Sequence, residues 1–578
     1  MKINKSSPAF SKKTLSLVIG TLISSGLVVG NSYAETDAGA LQQNLQNKVD
    51  RERSAPQVEA PQKKRLEPSV AEEGGTAIEV KSFKVTGITL ITDEEAQVAL
   101  KSFANRNLTF AQIKEASSAI TTLYQHIGRV AQAVIPPQDV VDGQIEIKVI
   151  EGKVGDVVVN FNEDKPSRLA ASLINKFIFK HNAPGNFIDM ISLERSLALL
   201  NELPGNEISG QLIKGSKEES SNIQVNAKDT GWISGSVEGA NYGSRNTGTA
   251  QGSASLNLKN PLGYGDLFSF DYIGAEGSDY GQLRYRIPLG YDGWRVSAGV
   301  SALDYKSLSG FSTNVSKGTA QTYGLYSTYA LERSALSNKT IVINYENKNY
   351  DNLTNGAPTS KYQINNLMLG INTTHYYGDS YLNWGLTGTV GHLTIDNVNQ
   401  ASNDLTGPNT VGTFGKIGMN VSLTYPLPID RTRLIASLYG QVATKNLNSA
   451  EQFYLGGPYG VRVYPVAQGG GSQGGIATIE INHVFENQLQ VGAFIDAGLV
   501  QQYVDNFAVL QGQTHANNTY ALYSSGLLAK YNLSKVQIAG TLAFRLGDNP
   551  LYNQSGQQLN VDNQYNSMQG WLKATYFF

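Results

Sequence analysis

Few residues in this chain could carry out covalent chemistry. It has six histidines and no cysteine, which excludes thiolate nucleophiles, disulfides, thiolate zinc sites and Fe–S clusters. His126, His181, His375, His392, His483 and His515 fall in no metal-ligand spacing such as HExxH. No GxSxG nucleophile elbow occurs either. Gly469-Gly470-Gly471-Ser472-Gln473-Gly474-Gly475 is rich in glycine, but no Gly-Lys-Ser/Thr follows it. It is therefore not a phosphate-binding loop and reads as a flexible return arm. The expectation is no enzyme, no cofactor and no metal. Arg462 stands on a glycine-bearing stretch, Leu455-Gly456-Gly457-Pro458-Tyr459-Gly460-Val461-Arg462-Val463-Tyr464-Pro465. An arginine so placed swings freely unless a carboxylate takes it by both prongs.

Composition bounds the elements that must position such a group. Among 578 residues only 16% are charged, and Lys+Arg (46) nearly balances Asp+Glu (48). That balance gives no argument for nucleic acid, and the low charge argues against a long disordered chain. Fifty-nine glycines and 30 tyrosines suit a turn-rich β chain with an aromatic belt. Residues 1–34 read as a secretory signal: Lys2, Lys5, Lys12 and Lys13, then the apolar core Leu15–Val29, then Ser32-Tyr33-Ala34 as a cleavage site. Glu35 is the expected mature terminus. No later stretch reaches the roughly 20 apolar residues of a membrane helix. If the mature chain sits in a membrane, it is a closed barrel, since only helices and barrels satisfy every backbone group in lipid.

Ala38–Ser54 is a polar helix candidate with a narrow stripe, Leu41, Leu45 and Val49, at every fourth residue. A linker with Pro56, Pro61, Pro68 and Gly74-Gly75 follows. Residues 76–152 form a small α/β unit. Ile78, Val80, Phe83 and Val85 suggest a strand. Ile113, Ala116, Ile120, Leu123 and Ile127 mark an amphipathic helix that carries His126 and is stopped by Gly128. Val130–Ile135 and Gln144–Ile150 read as strands, with the tight-turn pair Asp142-Gly143 before the second. Residues 153–228 repeat the type, with helices at Ala170–Phe179 and Leu193–Leu200 and strands around Gln211–Ile213 and Ile223–Val225.

From Gly231 helical periodicity gives way to alternation. Leu283, Tyr285 and Ile287 face one way and Gln282, Arg284 and Arg286 the other, as a lipid surface opposite a wet lumen requires. Shared among 16 strands, the remaining chain allows about 22 residues for each strand and its connection. The final segment alternates Gly570, Leu572, Ala574, Tyr576 and Phe578 against Trp571, Lys573, Thr575 and Phe577. An aromatic residue ending such a strand resembles the signal read by outer-membrane assembly machinery.

Two α/β units followed by a barrel resemble the outer-membrane transporters of two-partner secretion, the TpsB (ShlB/FhaC/HecB) family. The supporting motifs are Ala133-Val134-Ile135-Pro136-Pro137-Gln138, Val149-Ile150-Glu151-Gly152, Leu199-Leu200-Asn201-Glu202-Leu203-Pro204-Gly205, Asn241-Tyr242-Gly243-Ser244-Arg245 and Asn260-Pro261-Leu262-Gly263-Tyr264-Gly265-Asp266. The resemblance implies a plug helix over 35–54, a linker over 55–75, POTRA domains over 76–152 and 153–228, and a 16-stranded antiparallel transmembrane β-barrel over 229–578. Within that barrel a long loop around 450–476 would fold inward. Its tip motif would be Val461, Arg462, Val463 and Tyr464, with Val463 standing where the family has Gly. Arg462 would lock onto Asp496 of the wall motif Phe494-Ile495-Asp496, while Phe578 and Tyr576 would form the C-terminal assembly signal.

The function so implied is export of a large unfolded exoprotein from the periplasm to the cell surface, without ATP. The partner would be a β-helical adhesin, haemolysin, haem-acquisition protein or growth-inhibition toxin. Outer-membrane lipid and, during biogenesis, the barrel-assembly machinery are the other expected partners; nucleic acid is not. Two rival readings make different demands. A barrel-assembly factor would carry more α/β units and no plug, and a passive porin would need no residues 76–228.

Overall fold

The computed structural model describes residues 37–54, 77–217, 219–308, 314–507, 518–550, 558, 561–562 and 565–578. The expected signal segment, the linker and His515 lie outside the described residues.

The first α/β unit opens with β1 (Ile78–Val80) and β2 (Ser82–Thr86), where one strand was expected. The break falls at Lys81, and sequence parity explains it. Ile78 and Val80 are even-numbered, while Phe83 and Val85 are odd-numbered, so one continuous strand would send them to opposite faces. Instead β1 pairs with β3 (Arg106–Leu108), and β2 runs parallel to β5 (Gln144–Glu151), which β4 (Ala131–Val134) borders on its other side. Asp142 and Gly143, both at positive φ, make the turn before β5. Helix Phe110–His126 buries Ile113, Ala116, Ile120 and Tyr124 on this sheet. A second helix, Asp93–Leu100, is set by a capping box between Thr92 and Glu95.

The second unit repeats the topology. β6 (Lys153–Phe161) runs parallel to β8 (Ser220–Asp229), β7 (Asn206–Lys214) is antiparallel to β8, and helices Ala171–Phe179 and Met190–Asn201 cover the sheet. Only Gly152 separates β5 from β6. The joint is fixed by backbone bonds: the N–H of Gly152 donates to Val130, that of Ile188 to Gly152 and that of Met190 to Gly128.

The barrel closes in sequence order through β9 (Ile233–Ala240), β10 (Gln251–Lys259), β11 (Leu267–Ala275), β12 (Ser278–Leu289), β13 (Trp294–Lys306), β14 (Ser316–Arg333), β15 (Ser337–Thr354) and β16 (Ala357–Tyr377). It continues through β17 (Ser380–Ile395), β18 (Gly412–Pro426), β19 (Thr432–Ala443), β22 (Gln473–Val484), β23 (Leu489–Gln501), β24 (Thr519–Leu533), β25 (Val536–Leu546) and β26 (Met568–Phe577), which pairs back to β9. Two short strands, β20 (Phe453–Tyr454) and β21 (Gly470–Gly471), pair within the connection from β19 to β22. Side chains alternate as pleating demands. Leu325, Leu367, Val390, Ile479 and Leu572 face outward, while Gln282, Ser301, Thr322, Glu346 and Asn366 are buried inside.

Two expectations for this half are corrected. Helical structure does not vanish, because Asn397 caps a helix over Val398–Thr406 between β17 and β18. That helix is only nine residues long and leaves Val398 and Leu405 exposed, so its few apolar positions mark no buried face. The glycine run at 469–475 is also not a loose arm. Gly470 and Gly471 pair with Tyr454 and Phe453, and Gln473 onward is barrel wall.

The second unit docks on the barrel's near mouth. Glu202, at the end of helix Met190–Asn201, pairs with Arg295 of β13 and Arg333 of β14. Burial acts to raise the pKa of Glu202, but the two guanidiniums outweigh it and hold the carboxyl below its ordinary range. Arg195 donates to the Asp292 carbonyl at 3.0 Å, and Ala330 joins the unit's apolar core.

Glu151 closes the first unit. Its Oε1 accepts the N–H groups of Thr89 (2.7 Å) and Leu90 (2.9 Å) and the Tyr124 hydroxyl (2.5 Å), and the Thr89 hydroxyl donates to Oε2. Burial favours the neutral acid, but these donors prevail and depress its pKa. A depressed carboxyl stabilises the fold above its unfolded pKa of about 4.3 and loses that contribution as pH falls through the folded value. The hydrogen-exchange protection factors of residues 88–91, corrected for the intrinsic rate at each pH, are therefore expected to fall on acidification. Glu151→Gln should reduce protection there by about 1–3 kcal/mol at neutral pH and abolish the acid dependence; protection equal to wild type would refute this role.

Candidate functional site

A helix spans Ala38–Ser54 and lies inside the barrel. Its narrow stripe, Ala38, Leu41, Leu45 and Val49, is buried against inward side chains that include Tyr280, Leu303, Tyr350, Tyr362 and Phe414. Polar contacts surround the stripe. The Ala38 N–H donates to Asn352 Oδ1 (2.9 Å) and Gln42 Nε2 to Thr322 Oγ1 (3.0 Å). Gln43 Nε2 donates to the Gln452 carbonyl (2.9 Å). Lys48 Nζ sits 2.9 Å from Glu238 of β9, which also meets Lys573 of β26 at 3.2 Å. Arg51 donates to the Tyr459 carbonyl (3.2 Å) and covers the ring of Tyr439.

Residues 444–472, between β19 and β22, turn into the lumen and meet this helix. Gly39 is packed so tightly that an added Cβ would lie 2.5 Å from Tyr362 Oη and 2.7 Å from Ala450 Cβ. The loop holds to the wall at two places. On one side Glu451 lies 3.0 Å from Lys348 of β15 and 2.7 Å from Lys416 of β18, and it accepts Asn366 Nδ2 at 2.7 Å. On the other side is the loop tip.

At the tip Arg462 meets Asp496 of β23 side-on: Nε donates to Oδ2 at 3.0 Å and Nη2 to Oδ1 at 2.9 Å. The Arg462 backbone N–H donates to Oδ2 as well, at 3.2 Å. Thr478 of β22 and Ser524 of β24 add hydroxyl donors at 3.0 and 2.8 Å. Five donors thus converge on a carboxylate whose side chain is 0% exposed. Arg462 Nη1 is taken by Glu480 of β22 at 3.0 Å, and its guanidinium lies 3.3 Å from the centre of the Phe494 ring. Trp571 of β26 donates to the Arg462 carbonyl at 2.6 Å.

The other motif residues have different surroundings. Val461, Val463 and Tyr464 are buried in an apolar cluster with Leu455, Phe494, Tyr520 and Leu522. Val463 keeps negative φ, so its site makes no demand for glycine. Phe578 exchanges backbone bonds with Gly235 and stacks on Tyr576 (6.4 Å) at the outer surface, remote from the loop. The histidines stay apart: His181 meets Asp292, His392 meets Thr413 and His483 meets Thr432. Among the described residues no group of three or more acid or histidine side chains could hold a metal ion.

Sequence reasoning missed Glu480, Thr478, Ser524 and Trp571. Thr478 and Glu480 share the inward parity of one strand. Trp571 lies on the face of the last strand that also carries Lys573 and Thr575.

Burial decides how much the pair contributes. Removing one partner of a buried pair leaves the other charge stranded, at roughly 3–5 kcal/mol; the same pair in water would be worth about 1 kcal/mol or less. Arg462→Ala is expected to free residues 455–468 for proteolysis while the barrel keeps its heat-modifiable mobility. Gly498→Ala should do the same by shape alone, since its Cβ would lie 2.7 Å from Val461 Cγ2. Gly252→Ala, with nothing within 4 Å, should leave the tip protected. A protected tip in both Arg462→Ala and Gly498→Ala would mean that neither contact holds it.

Residues 219–515 match the family described as haemolysin secretion/activation protein ShlB/FhaC/HecB, and residues 78–152 match the ShlB-type POTRA domain. The heme/hemopexin transporter protein HuxB of Haemophilus influenzae is 25% identical over 88% of this chain and 91% of its own. The outer membrane transporter CdiB of Escherichia coli is 26% identical over 77% of this chain and 76% of its own. The solved structure of CdiB from Escherichia coli shares the fold, with a TM-score of 0.72 at 22% identity, covering 93% of this chain and 98% of that one. The chain therefore belongs to the ShlB/FhaC/HecB family: it is an outer-membrane transporter of two-partner secretion, with its barrel in that membrane and its POTRA region in the periplasm.

Proposed function

We propose that this transporter exports one large exoprotein through a lumen that its own helix keeps shut. The observation that carries the reading is the helix Ala38–Ser54 seated inside the barrel and joined to the first POTRA unit only through residues 55–76. The partner arrives unfolded in the periplasm. Its leading segment binds the POTRA units by adding to a strand edge or by laying apolar residues in a groove. That binding favours a state in which the helix has left the lumen, so cargo biases a two-state gate. The loop pinned by Arg462 and Asp496 either shifts or remains as the fixed jamb past which the chain threads. No nucleotide is at hand in the periplasm, and folding outside supplies direction. The cargo is an adhesin, haemolysin, haem-acquisition protein or growth-inhibition toxin. In the same reading the terminal strand, ending in Tyr576 and Phe578, is what the assembly machinery recognises before the barrel enters lipid.

Mass spectrometry of secreted and surface proteins, with and without this gene in its native host, tests the reading. Loss of one very large protein from outside is the expected outcome. A general fall in barrel proteins would indicate an assembly factor instead, and a change confined to small-solute permeability would indicate a porin. Arg462→Ala should lower export of that protein without lowering the amount of barrel. Deleting Ala38–Ser54 should raise single-channel conductance, and an unaltered conductance would remove the helix from the gate.

A further inference from the structure

Charge at the near mouth of the lumen is divided between the wall and the parts that move. Arg284 and Arg286, two residues apart on β12, face the same way, and β13 adds Arg295 beside Pro288. All three line a cavity of about 570 Å³ between the wall and the lumen helix. The acids paired to Arg284 and Arg295 come from outside the wall. Asp50 of the lumen helix lies 3.8 Å from Arg284, and Glu202 of the second POTRA unit lies 2.5 Å from Arg295. The nearby wall acids are engaged elsewhere: Glu346 holds Lys348 at 3.2 Å and accepts the Tyr326 hydroxyl, and Asp271 accepts Ser255 Oγ. Arg284 also stacks on the Tyr326 ring at 4.4 Å, a contact within the wall that survives loss of Asp50.

We propose that Arg284, Arg286 and Arg295 form the first lumen binding site for the exported chain, and that they take carboxylate side chains of an extended polypeptide. The inference rests on the export reading above. In the closed state Asp50 and Glu202 occupy the site. Withdrawal of the helix and the POTRA unit would strand cations in a partly shielded lumen, which is unfavourable. An incoming acidic segment replaces the departing acids and removes that cost. The geometry suits such a guest. Guanidinium forks grip carboxylates by two bonds. An extended chain also repeats its side chains every second residue at about 7 Å, the spacing of Arg284 and Arg286 along β12.

The full-length protein in planar bilayers provides the test, with alternating Glu-Ser and Lys-Ser peptides of equal length added on the POTRA side. During open intervals the acidic peptide is expected to block about tenfold longer than the basic one at low salt, with the difference shrinking as salt screens it. In Arg284→Gln/Arg286→Gln the two peptides should block within about twofold of each other. Arg286→Gln alone, which keeps the Asp50 contact, should fall between. Equal block by both peptides in the wild type overturns the strip, as does an acidic preference that the double variant retains. A channel that never rises above its plugged conductance overturns the plug reading and the strip with it.

Discussion

A sixteen-stranded wall encloses more space than its own side chains can fill. The outward face of each strand belongs to lipid, so alternation sends polar side chains into a lumen with room to spare. Everything else inside the barrel answers that constraint. Helix Ala38–Ser54 occupies the centre, and residues 444–472 fold inward instead of outward. Between them they give inward groups such as Asn352, Thr322 and Glu238 partners that the wall alone does not provide.

The two fillers are held by different means. The loop is fixed at two places on the wall by carboxylates with almost no exposure. Asp496 gathers five donors, and Glu451 sits between two lysines. Such sites are costly to assemble and costlier to break, because a broken one leaves a naked charge in low dielectric. The helix is held by amide contacts from Gln42, Gln43 and Gln46, by a four-residue stripe and by one buried ion pair, Lys48 with Glu238, whose acid keeps Lys573 of the wall when the helix is absent. Each amide contact is worth about 1 kcal/mol once exchange with water is counted. The proposed gate needs this asymmetry: a filler that leaves at modest cost beside one that stays.

Legibility in the sequence followed the range of the interaction. Leu41, Leu45 and Val49 mark the lumen helix because its period is local, and barrel alternation is equally local. The break at Lys81 was written in the parity of Ile78, Val80, Phe83 and Val85, and helix Asp93–Leu100 in the Thr92–Glu95 capping box. Helix Val398–Thr406 went unread because it is short, its apolar Val398 and Leu405 face outward, and it is held by polar contacts of Asn397, Gln400 and Asp404. Arg462 and Asp496 could be matched only through motif resemblance, since they lie 34 residues apart on a loop and a strand. Glu480, Ser524, Trp571 and the lysines around Glu451 depend on the register of strands far apart in sequence. No local pattern encodes that register.

The helix is also a poor structure on its own. At 17 residues, with glutamine or asparagine at five positions, Gln42, Gln43, Asn44, Gln46 and Asn47, it is near the length at which isolated helices are marginal in water. Once out of the lumen it therefore gains chain entropy as well as hydration, which lowers the work of release. Return demands that it refold against a wall whose cations, Arg284 among them, draw Asp50 back into place. A cargo segment bound to those cations, as proposed above, would delay the return without any contact to the helix itself. On that proposal opening and cargo entry are coupled by competition for the same charges, and such a gate needs no further device to remain open while the chain passes.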